Sequence, residues 1–229
     1  MTIEEIKEKL AKKAIIFQTG GSRPTKELLE SWIGCVCWKR LEEEIPIDQN
    51  GKPMFPIATL FLKDLPYIPD ALQGMELITV FMAEDIYDHL RFVEDYFCIR
   101  VYENLDKLVV CDWKSEIMKA FPLVPQLVEN DYPTWDGGGI PMNIEDEILR
   151  LEDEEDIDYY GDICEEIYRE HKIGGYPAFC QPGYWFEDYD FVFQISSDEK
   201  AQFNIVDNGE FYFFYHKEKK DWKVTCDFY

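Results

Sequence analysis

Apolar positions along the chain recur with two different periods, and the change of period marks out the elements. At the start, Ile3, Ile6 and Leu10 stand at helical spacing behind Thr2, with Glu5 three residues further on. That is a capping-box pattern, and it predicts an amphipathic helix over residues 2–13. Arg23-Pro24-Thr25, followed by Lys26-Glu27-Leu28-Leu29-Glu30, is a second helix start. From Trp32 the period shortens. Segments 33–38, 55–62 and 77–82 are short, rich in aromatic and β-branched residues, and bounded by Pro and Gly, which predicts strands with a turn at Asn50-Gly51. Segments 97–102 and 108–112 read as two more strands, joined as a hairpin around Glu103-Asn104-Leu105-Asp106. Residues 121–143 hold four prolines and three consecutive glycines, and are expected to be a connecting loop. Strand character returns from Lys172 onwards, at 191–195, 201–206, 210–216 and 223–228. Asp207-Asn208-Gly209 is the best hairpin signal in the chain.

Between the two strand-rich blocks lies the densest charge run. From Glu145 to Glu170 there are 13 acidic residues against only Arg150 and Arg169. Ile144, Ile148 and Leu151, and later Ile163 and Ile167, keep helical spacing through it, so it predicts one or two helices with an acidic face exposed. The blocks echo one another. Ile33-Gly34, then 56–60, then 74–81 are matched in order by Ile173-Gly174-Gly175, then 191–195, then 209–214. The expected architecture is α+β, with antiparallel sheets from two pseudo-repeated strand-rich halves, an N-terminal helix, and an acidic helical insert between the halves. The chain reads as a single domain over 1–229. Its halves run about 30–120 and 172–229, joined by loop 121–143 and acidic segment 144–171.

Composition narrows the function. Hydrophobic residues make up 46% of the 229 positions, enough for a sizeable core, so global disorder is excluded. Against 23 Lys+Arg stand 47 Asp+Glu, a formal net charge of −24. That field repels nucleic-acid backbones and anionic lipid, and draws in a basic partner. The longest early apolar run, residues 14–17, is too short for a secretory segment or a membrane span. The seven cysteines are odd in number and scattered, a pattern that fits reduced thiols, so a cytoplasmic location is expected.

Several stretches are similar to a known family. Gly51-Lys52-Pro53-Met54, leading into an apolar strand and Asp64-Leu65-Pro66, resembles the first half of the YwqG-like bacterial family of unknown function. Lys172-Ile173-Gly174-Gly175-Tyr176-Pro177, Phe193-Gln194-Ile195-Ser196-Ser197-Asp198 and Gly209-Glu210-Phe211-Tyr212-Phe213-Phe214 resemble its second half. The resemblance covers roughly residues 30–229 and departs from the family pattern at Thr59 and at 203–207. It implies an α+β fold on antiparallel sheets, with no established catalytic residues. Some members sit beside secreted polymorphic toxins, which implies an immunity role.

Nucleophilic catalysis needs a base within hydrogen-bond reach of the nucleophile. His89, His171 and His216 are the available histidines, and none lies in a recognisable Ser or Cys motif. His216 falls in an aromatic strand and reads as structural. His171 reads as a solvated cation at a helix end. Zinc ligation is disfavoured because Cys35-Val36-Cys37 and the set Cys164, His171 and Cys180 lack paired Cys-x-x-Cys spacing. Cys35 and Cys37 should instead share one strand face and pack as small apolar groups. The acidic run 153–158 lacks a calcium-loop register. Trp135-Asp136-Gly137-Gly138-Gly139 lacks the Lys and helix start of a phosphate loop. No cofactor is expected. In 211–215, Phe211, Phe213 and Tyr215 should face one side and Tyr212 and Phe214 the other, which predicts a strand buried on both faces near the centre of its sheet.

Two functional readings follow. The first is a non-enzymatic immunity protein that occludes the basic active-site cleft of a toxin with an acidic surface. Its partner-binding residues would be Asp153, Glu154, Glu155, Asp156 and Asp158, with Tyr159 and Tyr160 as aromatic anchors. The same run reads equally well as a solvated helix face. The second is an enzyme or small-molecule binder using a cleft between the halves, lined by Tyr176, Tyr184 and Trp185.

Overall fold

A computed structural model describes residues 1–20, 29–88 and 93–229 of the chain. The second helix start and His89 therefore fall largely or wholly outside the described residues. The capping box is present: Thr2 Oγ1 accepts the Glu5 N–H while the Glu5 carboxylate accepts the Thr2 N–H, opening helix α1 (Ile3–Leu10). This helix ends earlier than the expected residue 13. Lys12 and Lys13 instead begin strand β1 (Lys12–Thr19), whose four-residue apolar run 14–17 is buried on both faces. An uninterrupted apolar run is what a central strand needs, so periodicity alone hides it.

The strands that follow are β2 (Ser31–Ile33), β3 (Cys35–Arg40), β4 (Phe55–Phe61), β5 (Leu77–Met82), β6 (Phe97–Tyr102), β7 (Leu108–Lys114) and β8 (Phe121–Asp131). Helix α2 (Met142–Glu155) comes next, then a single π turn at Tyr159–Ile163 and strands β9 (His171–Gly174), β10 (Asp190–Ser196), β11 (Glu210–His216) and β12 (Asp221–Asp227). Ten strands form one antiparallel sheet in the order β12-β11-β10-β9-β1-β8-β2-β4-β5-β6, and β3 and β7 form a separate ribbon. Four strands thus lie on each side of the central β1–β8 pair. The fold is mostly antiparallel sheet with few helices.

The sheet curls until its two ends meet. Val93 N–H donates to Val224 O at 3.1 Å, and the Phe97 ring stands edge-on to Phe211 and Phe213, each at 5.1 Å. The enclosed face collects Ile15, Phe17, Ile78, Val80, Phe193, Ile195, Phe211 and Phe213 into one core. A second, smaller core joins α1 to α2 and the π turn through Ile6, Leu10, Ile144, Ile148, Leu151, Tyr159 and Ile163.

Four sequence expectations are corrected. Residues 121–131 are not a loop but β8, the longest strand. Its prolines are tolerated because Pro122 lies next to the strand start, while Pro125 lies beyond Leu123, where the β2 ladder ends. Segment 33–38 splits at Gly34 (φ +72), so β2 joins the large sheet and β3 the ribbon. A Cβ at Gly34 would come within 2.7 Å of the Lys119 carbonyl oxygen. Strands β6 and β7 make no hairpin: β6 pairs with β5 and β7 with β3. Finally, 201–206 is irregular, with Gln202 and Val206 at positive φ, so Asp207-Asn208-Gly209 turns the chain without joining two strands.

Strand β11 alternates as expected, with Phe211, Phe213 and Tyr215 inward and Tyr212 and Phe214 outward, and all five are buried. Its position differs from expectation: it is next to the edge of the sheet. The outer face is covered by Phe179, Trp185, Phe186 and Tyr189 from the 175–189 connection.

Candidate functional site

Helix α2 forms because Ile144, Ile148 and Leu151 fall on one face and reach the helical core, leaving the carboxylates outside. It stops at Asp156, which takes a left-handed conformation (φ 55°, ψ 37°) tolerated by a short polar side chain. Asp153, Glu154, Glu155, Asp156 and Asp158 are all exposed. Arg150 holds two of the carboxylates, bonding Glu147 at 2.7 Å and also Glu154. That guanidinium, with the Met1 amine, brings Glu147 down to about 2.

Of the two expected anchors, Tyr159 is not on the surface. It sits in the π turn one turn before Ile163, so both side chains point inward. Its ring packs on Trp135 at 5.1 Å and its hydroxyl donates to Pro133 O at 2.7 Å. Burial pushes that hydroxyl's pKa well up. Tyr160 is 43% exposed and accepts the Trp135 N–H at 3.0 Å, so it remains available at the surface. Two residues not singled out from sequence join it: Met142 and Leu149 are 78% and 44% exposed. They lie seven apart and out of phase with the buried stripe, which is the signal that could have found them.

A second concentration of chemistry lies under β8–β12. Lys172 Nζ donates to Asp131 Oδ2 at 2.9 Å with both side chains 1% exposed, and the Tyr176 N–H donates to the same oxygen at 2.8 Å. His171 is corrected from a solvated helix end to a buried residue of β9. Its Nδ1 accepts the Ser196 N–H at 3.0 Å and its Nε2 lies 3.5 Å from Asp198. Burial opposes the charge on Asp198, but hydrogen bonds from His171, Thr19 and the Ala201 N–H outweigh it and hold this carboxyl well below the usual range. His216 is buried in β11, accepts the Lys219 N–H, and its ring lies against Tyr189, in keeping with a structural role.

Cys180, Glu210 and Asp227 bring a thiol and two carboxylates within 4.8 Å of one another. Such a donor set could hold a divalent cation, but its oxygens are already engaged. Asp227 accepts the N–H groups of Cys180 and Gln181 at 2.9 and 3.3 Å and the Tyr212 hydroxyl at 2.7 Å. Arg169 stands 3.7 Å from Glu210. Burial is the main cause that pushes the Glu210 carboxyl up to about 8, with Asp227 adding to it and Arg169 opposing, so Glu210 carries a proton at neutral pH. An open pocket of about 670 Å³ adjoins it, lined by Arg169, Asp198, Asn208 and Tyr229. Cys164 packs in the helical core, apart from this cluster. Cys35 and Cys37 do share one face, against Trp32 and Trp38, with their sulfurs 3.5 Å apart.

The meeting of the sheet's two ends leaves a larger cleft, about 1070 Å³, between β6 and the β11–β12 turn. Tyr176, Tyr184 and Trp185 do not line it. Tyr176 is buried and donates to Leu10 O; Trp185 donates to Gly137 O; Tyr184 packs on Phe186.

A family model described as a domain of unknown function, DUF1963, matches residues 33–223. The chain belongs to the DUF1963 family. The match takes in both flanks of the sheet, α2 and the cleft, and begins after the central strand β1. No curated protein matches the sequence. The DUF1963 assignment carries no activity with it.

Proposed function

We propose that this chain is a non-enzymatic, cytoplasmic binding protein whose acidic ridge at the end of α2 docks a basic protein, as an immunity protein occludes the active-site cleft of a toxin. One observation carries the reading. Helix α2 ends in Glu152-Asp153-Glu154-Glu155 with no basic residue in its last turn, so its carboxylates face the negative end of the helix dipole. Acids at that end each cost about 0.3–1 kcal/mol. A solvated face needs no such arrangement, and mixed charge would serve solubility as well.

Met142, Leu149 and Tyr160 add exposed apolar area on the same segment, the combination of steering charge and desolvated anchor that protein interfaces use. The resemblance to the YwqG-like family supports a toxin as the partner. The seven free cysteines suit a reducing compartment.

The same proposal reads the sheet as two pseudo-repeated halves with the acidic segment inserted between them. Ile33-Gly34 closes β2 and Ile173-Gly174 closes β9, with φ of +72° and +74° at the glycines. Three further antiparallel strands follow on each side.

The test is capture of host proteins on the tagged chain with a salt-gradient elution, repeated with Asp153→Lys, Glu154→Lys, Glu155→Lys and Asp158→Lys combined. A basic protein retained by the native chain should be lost or weakened at least about tenfold by the four reversals. Equal retention by both chains at low salt would overturn the ridge as the docking surface.

A further inference from the structure

The cleft between the sheet's ends shares no residue with the acidic ridge, and its charge runs against the rest of the molecule. Arg40 and Lys107 come from the β3–β7 ribbon and the approach to it, Lys217 and Lys220 from the β11–β12 turn; Glu42 and Glu103 are the only carboxylates among its lining residues. Glu103 is paired with Lys220 at 3.6 Å. The side chains of the other three cations make no ion pair among the described residues, although the Glu43 carboxylate accepts both the Arg40 backbone N–H and the Tyr102 hydroxyl at 2.7 Å. Arg40 stands over the Tyr102 ring at 5.7 Å, Lys217 donates to the Asp70 carbonyl at 2.9 Å, and Lys107 makes neither kind of contact.

In a chain with two acids for each base, many cations hold a carboxylate, although Lys9 and Lys119, for example, make no ion pair among the described residues. Lys7, Lys13, Lys52, Lys63 and Lys223 each hold one. Four cations against two carboxylates around one cavity leave a net positive lining where composition predicts a negative one. Beneath them lie Met75, Val101, Trp222 and the largely buried Tyr102 and Tyr215, with the Tyr215 and Trp222 ring centroids 4.6 Å apart. The volume matches the upper end of small-molecule sites, at roughly 1,000 Å³. Cations on both sides of the cleft suit a ligand with more than one anionic group. An isolated carboxylate would engage one side only.

We propose that this cleft binds a small molecule bearing a polyphosphate chain, held between Arg40 and Lys107 from the β3–β7 ribbon side and Lys217 and Lys220 from the β11–β12 turn. Phosphate oxygens take the guanidinium fork of Arg40 and the point charges of the lysines, while the aromatic floor accommodates a base or other planar group where the ligand carries one. The site stands independently of the ridge: a chain that fails to capture a basic protein can still bind here, and the converse holds.

The experiment uses the full chain with N-methylanthraniloyl-ADP as fluorescent probe and inorganic tripolyphosphate as competitor, at low salt. Saturable anisotropy change is expected, weakened at least about tenfold by Lys107→Gln with Lys217→Gln. Lys9→Gln with Lys119→Gln removes the same charge away from the cleft and should leave binding intact. Both pairs lie on exposed side chains, and unchanged thermal unfolding verifies the fold. Displacement by tripolyphosphate identifies the phosphate chain itself as the ligand. Binding that tripolyphosphate does not displace, yet that the cleft pair abolishes, identifies a nucleotide. Two results overturn the proposal: no saturable binding of either probe up to about 1 mM, which is only −4.1 kcal/mol, or equal loss in both paired variants.

Discussion

The two flanks of the central β1–β8 pair bury polar groups in different ways. On the side of β2, β4 and β5 these groups are neutral hydroxyls. Ser31 Oγ accepts the Phe61 N–H at 2.9 Å, and Thr59 Oγ1 donates to Cys35 O at 3.0 Å while accepting the Cys37 N–H at 3.1 Å. On the side of β9–β12 they are ionisable: Lys172 against Asp131, Glu210 beside Asp227 and Tyr212, and His171 facing Asp198. Hydroxyls satisfied by backbone groups cost little and are indifferent to pH. Buried charges need partners, and the raised Glu210 and lowered Asp198 carboxyls tie the stability of that flank to pH. The same curled sheet therefore has one flank that works as plain scaffold and one whose integrity depends on solution conditions.

The sharpest way to break this contrast is at Lys172. Lys172→Met leaves Asp131 charged, buried and held by the Tyr176 N–H alone, and should cost about 3–5 kcal/mol in urea unfolding. Adding Asp131→Leu should recover part of that loss. A single variant within about 1 kcal/mol of native would mean that the pair is not buried in solution.

Next in size is the pH dependence set by Glu210. Its folded carboxyl titrates near 8 against an ordinary 4.5, so the native state keeps a proton that the unfolded chain releases. Stability from this group is complete below pH 4.5 and falls as pH rises towards 8. Gln copies the protonated acid. Glu210→Gln should match native stability near the acid end and exceed it by about 4 kcal/mol near pH 8. Parallel stability curves for the two proteins would contradict the buried, protonated assignment.

The smallest effect compares the glycines that end β2 and β9. Both have positive φ, but a Cβ at Gly34 meets the backbone oxygen of Lys119 at 2.7 Å, whereas one at Gly174 meets the ring of Tyr67 at the same distance. A ring can turn aside more readily than a backbone carbonyl. Gly174→Ala should cost about 1 kcal/mol and Gly34→Ala up to about 3. The reverse order in thermal unfolding would show the first flank to be the more yielding one.

Much of this was legible in the sequence. The capping box at Thr2, the strands around 55–62, 77–82 and 97–102, and the alternation in 211–215 follow from side-chain period alone, because period 2 and period 3.6 are local properties of the backbone. The acidic face of α2 was legible for the same reason. Other elements depended on distant partners. Strand β8 looked like a loop because its prolines are acceptable only next to the strand start and where the short β2 leaves its ladder open. Strand β1 was not expected: only Lys12 and Lys13 fell at the end of the expected helix, and the run 14–17, buried on both faces, has no period to read. Segments 97–102 and 108–112 looked like a hairpin because adjacency in sequence gives no information on which sheet a strand joins.

The candidate sites divide along the same line. The sequence by itself determined the net charge, where the carboxylates concentrate, and that Asp153, Glu154, Glu155, Asp156 and Asp158 would face water, since exposure on an amphipathic helix follows from its spacing. Only the tertiary structure turned Tyr159 inward, drew Lys172 and Asp131 together from positions 41 apart, and buried His171 beside Asp198. It also decided that Arg40, Lys107 and Lys217 would share one cleft, because the curl of a ten-stranded sheet brings its first and last strands face to face, and no local pattern records that closure.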